Sequence, residues 1–137
     1  MPSKINHIGI AVPDIAVAAK FYTEALGLTL GGVEEVASQK VKVAFLPIGE
    51  VRLELIQPTS PDSPVAKFLE KNGGPGIHHI AYEVADVAGE VDRMKVAGVR
   101  MVDETPRPGA HSTQIAFVHP KASGGVLTEL VQEMGHS

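Results

Sequence analysis

From Lys4 to Val12 apolar and β-branched residues dominate an alternating run, which predicts a strand. Pro13 stops it, and Asp14 is suited to cap a helix. Ile15, Ala18, Phe21, Tyr22, Ala25 and Leu26 then fall on one helical stripe, with Gly27 as the C′ residue. Three strand-like runs follow, at about Leu28–Val36, Val41–Pro47 and Val51–Gln57. The first part of the chain therefore reads β-α-β-β-β. Prolines and glycines crowd the stretch from Pro58 to Gly76, and inside it Ser63-Pro64 opens a short helix to about Lys71. The order then returns: a strand over Ile77–Val84, a cap at Asp86, a helix to Ala97, Gly98 and a strand over Val99–Val102. A loop from Asp103 to Thr113 leads to strands Gln114–His119 and Val126–Gln132, whose hairpin carries Pro120 and Gly124-Gly125.

The wording of the two halves repeats as well as their order. Ile5-Asn6-His7-Ile8-Gly9-Ile10-Ala11-Val12-Pro13-Asp14 returns 72 positions later as Ile77-His78-His79-Ile80-Ala81-Tyr82-Glu83-Val84-Ala85-Asp86. Val43-Ala44-Phe45 returns as Ile115-Ala116-Phe117, and Glu54-Leu55-Ile56-Gln57 as Glu129-Leu130-Val131-Gln132. A repeat of this length fixes the architecture first: one α+β domain over 1–137, made of half-modules at about 4–57 and 77–132 joined by 58–76.

Two His and two Glu are repeated within apolar strands, and strand parity shows which way each points. His7 shares a face with Ile5, Gly9 and Ala11, and His79 shares one with Ile77 and Ala81. The residue two beyond each His is small, Gly9 or Ala81, which leaves room beside the imidazole. Glu54 opposes Leu53 and Leu55, and Glu129 opposes Thr128 and Leu130. A carboxylate inside an apolar strand is costly unless it is paired or bound to metal. One such residue alone would be an ordinary surface glutamate or core histidine; four at repeat-equivalent positions point to His7, Glu54, His79 and Glu129 as ligands of a divalent ion. A His₂Glu₂ set suits six-coordinate Co²⁺, Mn²⁺, Ni²⁺ or Fe²⁺, with Zn²⁺ also accommodated, and leaves positions for substrate. Among the other histidines, His78 matches Asn6 and reads as structural, as does His119 before Pro120. His111 is either surface or a substrate contact, and His136 lies in the tail.

Composition narrows the chemistry further. The 137 residues include no cysteine, so disulfides and thiolate ligands are excluded and a metal must take N and O donors. At 44% hydrophobic the chain can bury a core, but 4% aromatics leave the packing to Val, Ile, Leu and Ala. A net charge of −4 without a basic cluster argues against nucleic acid. No apolar run reaches membrane-spanning length, and strand-like sequence begins by Lys4. A cytoplasmic protein is the expectation, or a mitochondrial matrix protein if a transit peptide has been removed.

These residues carry a family likeness. Paired β-α-β-β-β units with one His and one Glu each resemble the glyoxalase, or vicinal-oxygen-chelate, superfamily, and within it the methylmalonyl-CoA epimerases. The carrying segments are His7–Val12, Leu53–Pro58, Asp62–Leu69, Gly76–Ile80, Pro108–His111, Phe117–Lys121 and Gly124–Leu130. The resemblance implies an eight-stranded cupped mixed sheet around a metal held by His7, Glu54, His79 and Glu129. It implies cobalt or a similar ion, a homodimer, an acyl-CoA partner, and interconversion of the two C2 epimers of methylmalonyl-CoA by 1,1-proton transfer through an enolate. Glu129 is the expected base. The second proton carrier is open between Glu54, Lys42, His111 and water. Lys42 stands where some members offer an acidic residue, with a parity expected to face the cup, and Gln39-Lys40 replaces an expected Gln-Gly turn. Alternatives are a glyoxalase I-like lyase acting on a glutathione hemithioacetal, and a ligand-binding protein without turnover. A ring-cleaving Fe(II) dioxygenase would leave Glu54 surplus.

Overall fold

The computed structural model describes residues 1–134. Its contacts divide into two compact units, one spanning His7–His78 and the other Met1–Asn6 with the chain from His79 onward. The strands are β1 (Lys4–Ala11), β2 (Gly32–Val36), β3 (Val41–Ile48), β4 (Val51–Pro58), β5 (Gly76–Glu83), β6 (Arg107–Gly109), β7 (Thr113–Val118) and β8 (Thr128–Glu133). The helices are α1 (Ile15–Lys20), α2 (Pro64–Asn72) and α3 (Val87–Val96). β1 contributes its first three residues to one unit and the rest to the other.

In the unit His7–His78 the strand order is β2-β3-β4-β1. β1 runs parallel to β4, and the other two pairs are antiparallel. Helix α1 covers one face, where Val12, Ile15, Ala19, Ala44, Leu46 and Leu55 form a buried cluster with Ile10 and Leu53 against it. Asp14 caps α1 by accepting from the Ala16 N–H at 2.9 Å. Ser63 caps α2 with Pro64 behind it, and Gly73, at φ 74°, ends that helix while Gly73 and Gly74 donate back to Glu70 and Leu69.

The other unit repeats the scheme in the order β5-β8-β7-β6, with β5 parallel to β8. Helix α3 covers Val84, Val87, Val91, Ala116, Val118 and Leu130. The opposite face buries Ala81, Ile115, Phe117 and Val131. The repeated glutamines tie each helix to its sheet: Gln57 Oε1 accepts from the Ile15 N–H at 2.9 Å, and Gln132 Oε1 from the Val87 N–H at 3.0 Å. Each satisfies one of the donors that a helix start leaves without an intrahelical partner.

Three expected elements differ. The stripe expected to run to Leu26 is α-helical only to Lys20 and then widens into one π turn over Phe21–Ala25, closed by the Leu26 N–H on Phe21 O at 2.9 Å. Phe21 and Leu26 consequently stay exposed. The strand expected from Leu28 begins at Gly32, because the Leu28 N–H is spent on Tyr22 O. Val99–Val102 forms only a bridge from Met101 to Val118, since the Asp103 carboxylate takes the Phe117 N–H at 2.9 Å. The loop beyond it contains the short β6. There Gly109 is required: a Cβ would lie 2.7 Å from both Ile115 Cγ2 and Thr113 Oγ1.

Lys40 occupies the turn expected to hold glycine, and its backbone is left-handed at φ 56°. Its carbonyl accepts from the Thr59 N–H at 2.9 Å, and its ammonium pairs with the Asp62 carboxylate. The Lys40 ammonium, then the Ser60 hydroxyl, hold the Asp62 carboxyl down from its ordinary 3.8 to about 2.

Two predictions follow from these contacts. Gln57→Leu removes the acceptor of the Ile15 N–H and is expected to cost about 1–2 kcal/mol, as is Gln132→Leu for α3. Urea unfolding checks this, and variants as stable as the parent would show that water replaces the glutamine. The depressed Asp62 carboxyl contributes stability that is fully present above pH 3.8 and is lost as the pH falls through about 2. In melts across that range Asp62→Asn should lack this part of the acid limb, with the difference from the parent shrinking at high salt because the pair is exposed. Identical acid limbs would refute the assignment.

Candidate metal and acid–base site

The four repeated residues are all buried. In the unit His7–His78, β1 and β4 place Gly9 beside Glu54, and β3 places Phe45 across from it. His7 Nδ1 lies 3.4 Å from Glu54 Oε2. Arg52, two residues before Glu54 and on the same strand face, approaches that oxygen with Nε at 3.4 Å and Nη2 at 3.3 Å. Its guanidinium sits 5.8 Å from the centre of the Phe45 ring.

The second unit is built the same way. Ala81 and Phe117 flank Glu129 in register. His79 Nε2 lies 2.9 Å from Glu129 Oε1, and the imidazole stands edge-on to Phe117 with ring centres 5.5 Å apart. Arg107 lies 5.6 Å from the Phe117 ring centre, but its Nε pairs with Asp103 Oδ1 at 3.0 Å. Each unit therefore presents a buried imidazole–carboxylate pair beside an aromatic ring. Neutral imidazole nitrogen and carboxylate oxygen are the donors that a borderline divalent cation prefers, so the residues fit such an ion. Burial without a counter-charge would be costly for either carboxylate.

Lys42 is a correction. The expected parity toward the cup is wrong, because Lys42 shares its strand face with Ala44 and Leu46, which pack under α1. It lines a cavity of about 540 Å³ on that helix side, together with Ile15, Ala19, Leu30, Val33 and Gln57. Glu54 alternates the other way, with Leu53 and Leu55 beneath α1. Register pairs Lys42 with Gln57, the helix anchor, and not with a residue of the Glu54 face.

The remaining histidines are placed as follows. His78 packs edge-on against Phe68 at 5.1 Å. Asn6, its repeat mate, is buried and donates to Glu83 and Glu133 at 2.9 and 2.7 Å. His119 Nδ1 accepts from the Lys121 N–H at 3.1 Å, a structural cap, and desolvation followed by the Arg100 and Lys121 charges pushes its pKa down. His111 and Ser112 both adopt left-handed backbone, at φ 62° and 56°, in the turn between β6 and β7. His136 lies outside the described residues.

Sequence reasoning missed the two arginines. Arg52 carried a signal, since its alternation with Leu53 puts it on the Glu54 face. Arg107 carried none, because it lies in a stretch expected to be loop. The repeated Phe45 and Phe117 were visible as repeats, but their place beside each glutamate follows only from cross-strand register.

The fold is shared with known proteins. Residues 6–117 match the family described as the Glyoxalase/Bleomycin resistance protein/Dioxygenase superfamily, and the chain belongs to it. It is similar to the ethylmalonyl-CoA/methylmalonyl-CoA epimerase of Cereibacter sphaeroides, 42% identical over 96% of this chain and 99% of that one. The structure of a methylmalonyl-CoA epimerase in complex with methylmalonyl-CoA and NH4+ superposes with a TM-score of 0.94 at 39% identity, covering 98% of this chain and 97% of the other. A variant of Streptomyces coelicolor methylmalonyl-CoA epimerase bound to 2-nitronate-propionyl-CoA matches with the same score, identity and coverage. The expected α+β superfamily fold is borne out by these matches.

Proposed function

We propose that the chain interconverts the (R) and (S) epimers of methylmalonyl-CoA, with His7, Glu54, His79 and Glu129 together holding one divalent ion. The observation that carries this is a buried His–Glu pair in each unit, in a chain that matches methylmalonyl-CoA epimerase structures over 98% of its length. His7, His79 and Glu129 are all buried and each offers a donor atom. Cobalt is the proposed metal, with Mn²⁺, Ni²⁺, Fe²⁺ and Zn²⁺ as alternatives. Homodimers in the cytoplasm are the proposed working state.

The reacting C–H bond lies between a thioester and a carboxylate, so its removal leaves an enolate. A bound divalent cation would supply Lewis-acid stabilisation of that negative charge worth several kcal/mol. Glu129 is the proposed base: its carboxylate is buried and held by His79 at 2.9 Å, which fixes where the proton is received. The Phe117 edge against His79 limits rotation of that imidazole. Return of a proton to the opposite face inverts the centre. With Lys42 turned under α1, the groups for that step are Glu54, His111 and water.

Elemental analysis of protein loaded and then desalted should find one divalent ion per chain, and His79→Ala should weaken its binding by about 10²-fold or more. Undiminished binding in that variant would remove His79 from the ligand set. In D₂O the metal-loaded enzyme should place deuterium at C2 while the epimers equilibrate. Glu129→Gln should lower kcat for both events by about 10²-fold or more, whereas Lys42→Ala should stay within about twofold of the parent, because its side chain lies on the α1 side of the sheet, opposite the face of Glu54. Conversion of a glutathione hemithioacetal with neither exchange nor epimerisation would replace this reading by a glyoxalase I-type lyase.

A further inference from the structure

Both units set an arginine over the phenylalanine that faces the glutamate, yet the two arginines are used differently. Arg107 is offset by Asp103 at 3.0 Å, and the other Asp103 oxygen is held by the Phe117 N–H. Arg52 turns its Nε and Nη2 to Glu54 Oε2. The repeat is broken here, and the break concerns charge. We propose that Arg52 neutralises Glu54, so that the metal centre keeps a net positive charge for a carboxylate-bearing acyl-CoA.

The charge count makes the case, and it rests on the proposed function. Two carboxylates and one divalent ion sum to zero, and histidine ligands bind as neutral imidazoles. A malonyl-type substrate brings one negative charge, and loss of its C2 proton adds another. A centre of zero net charge would attract either only through the local field of the cation, with no net charge behind it. Arginine remains cationic at any pH a protein tolerates, so Arg52 adds one permanent positive charge. Its side chain is only 18% exposed and that of Glu54 5%, which keeps solvent screening low. Stacking on Phe45 fixes the direction of the fork. The arginine thereby makes Glu54 the electrostatic equal of an uncharged ligand. Glu129 lies 2.9 Å from His79 instead, while Arg107 pairs with Asp103.

The test measures binding, apart from turnover. Wild type, Arg52→Gln, Arg52→Lys, Glu54→Gln and the double variant R52Q/E54Q are loaded with Co²⁺, and their metal is counted. The Kd of 2-nitronate-propionyl-CoA, an acyl-CoA anion bound by a similar protein, is then taken by calorimetry. R52Q should keep its metal and bind the analogue at least about 10-fold more weakly, R52K should stay within about threefold, and R52Q/E54Q should recover most of the loss. Recovery on removing a second charged group is what a merely structural arginine would not produce. R52Q binding at the parent level, a double variant as weak as R52Q, or loss of metal from R52Q would each overturn the proposal. If R52Q does not fold, Arg52→Met, which keeps the apolar stem against Phe45, takes its place with the same expected and overturning results. Failure of metal-loaded wild type to bind the analogue would instead refute the substrate reading.

Discussion

Two carboxylates buried in apolar strands set the terms for everything else in this protein. Glu54 and Glu129 are 4 and 5% exposed, and a charge at that depth survives only with a partner in reach; removing one member of such a pair costs about 3–5 kcal/mol. The chain meets this demand twice by the same means. A histidine stands on the strand parallel to the one bearing the glutamate, a small residue beside the glutamate leaves space, and a phenylalanine across the strand closes one side. The alternation of each strand then follows. With the glutamate on one face, its leucine neighbours must lie on the other, where α1 and α3 cover them.

The same alternation locates the helices. Three residues after each glutamate the parity is reversed, so Gln57 and Gln132 emerge on the helix face and receive the first N–H of α1 and α3. One short segment of sequence therefore supplies a candidate metal ligand to one face of the sheet and a helix anchor to the other. Position of the helix and position of the ligand are coupled through four consecutive residues.

Repeated halves need not stay chemically equal. Here the backbone plan is retained while the charges diverge: Glu54 meets His7 and Arg52, whereas Glu129 meets His79 and Arg107 is given to Asp103. Two glutamates at repeat-equivalent positions thus sit in different fields.

The element order, both N-caps, the α2 start and stop, and all four His and Glu positions were legible in the sequence. Each rests on short-range rules: period-2 alternation, Asp or Ser before a helix, glycine after it, and identity between repeats. The tertiary structure decided what depends on partners distant in sequence. The π turn at Phe21–Ala25 arises because Leu26 and Leu28 return their N–H groups to Phe21 and Tyr22. The Val99–Val102 run is cut to a single bridge where the Asp103 side chain takes the Phe117 N–H, and Lys42 goes under α1 because register pairs it with Gln57. The choice of Arg52 for Glu54, and of Arg107 for Asp103, has the same origin. Period and capping are properties of a few neighbouring residues, whereas register and charge pairing are competitions among groups that meet only when the sheet has formed.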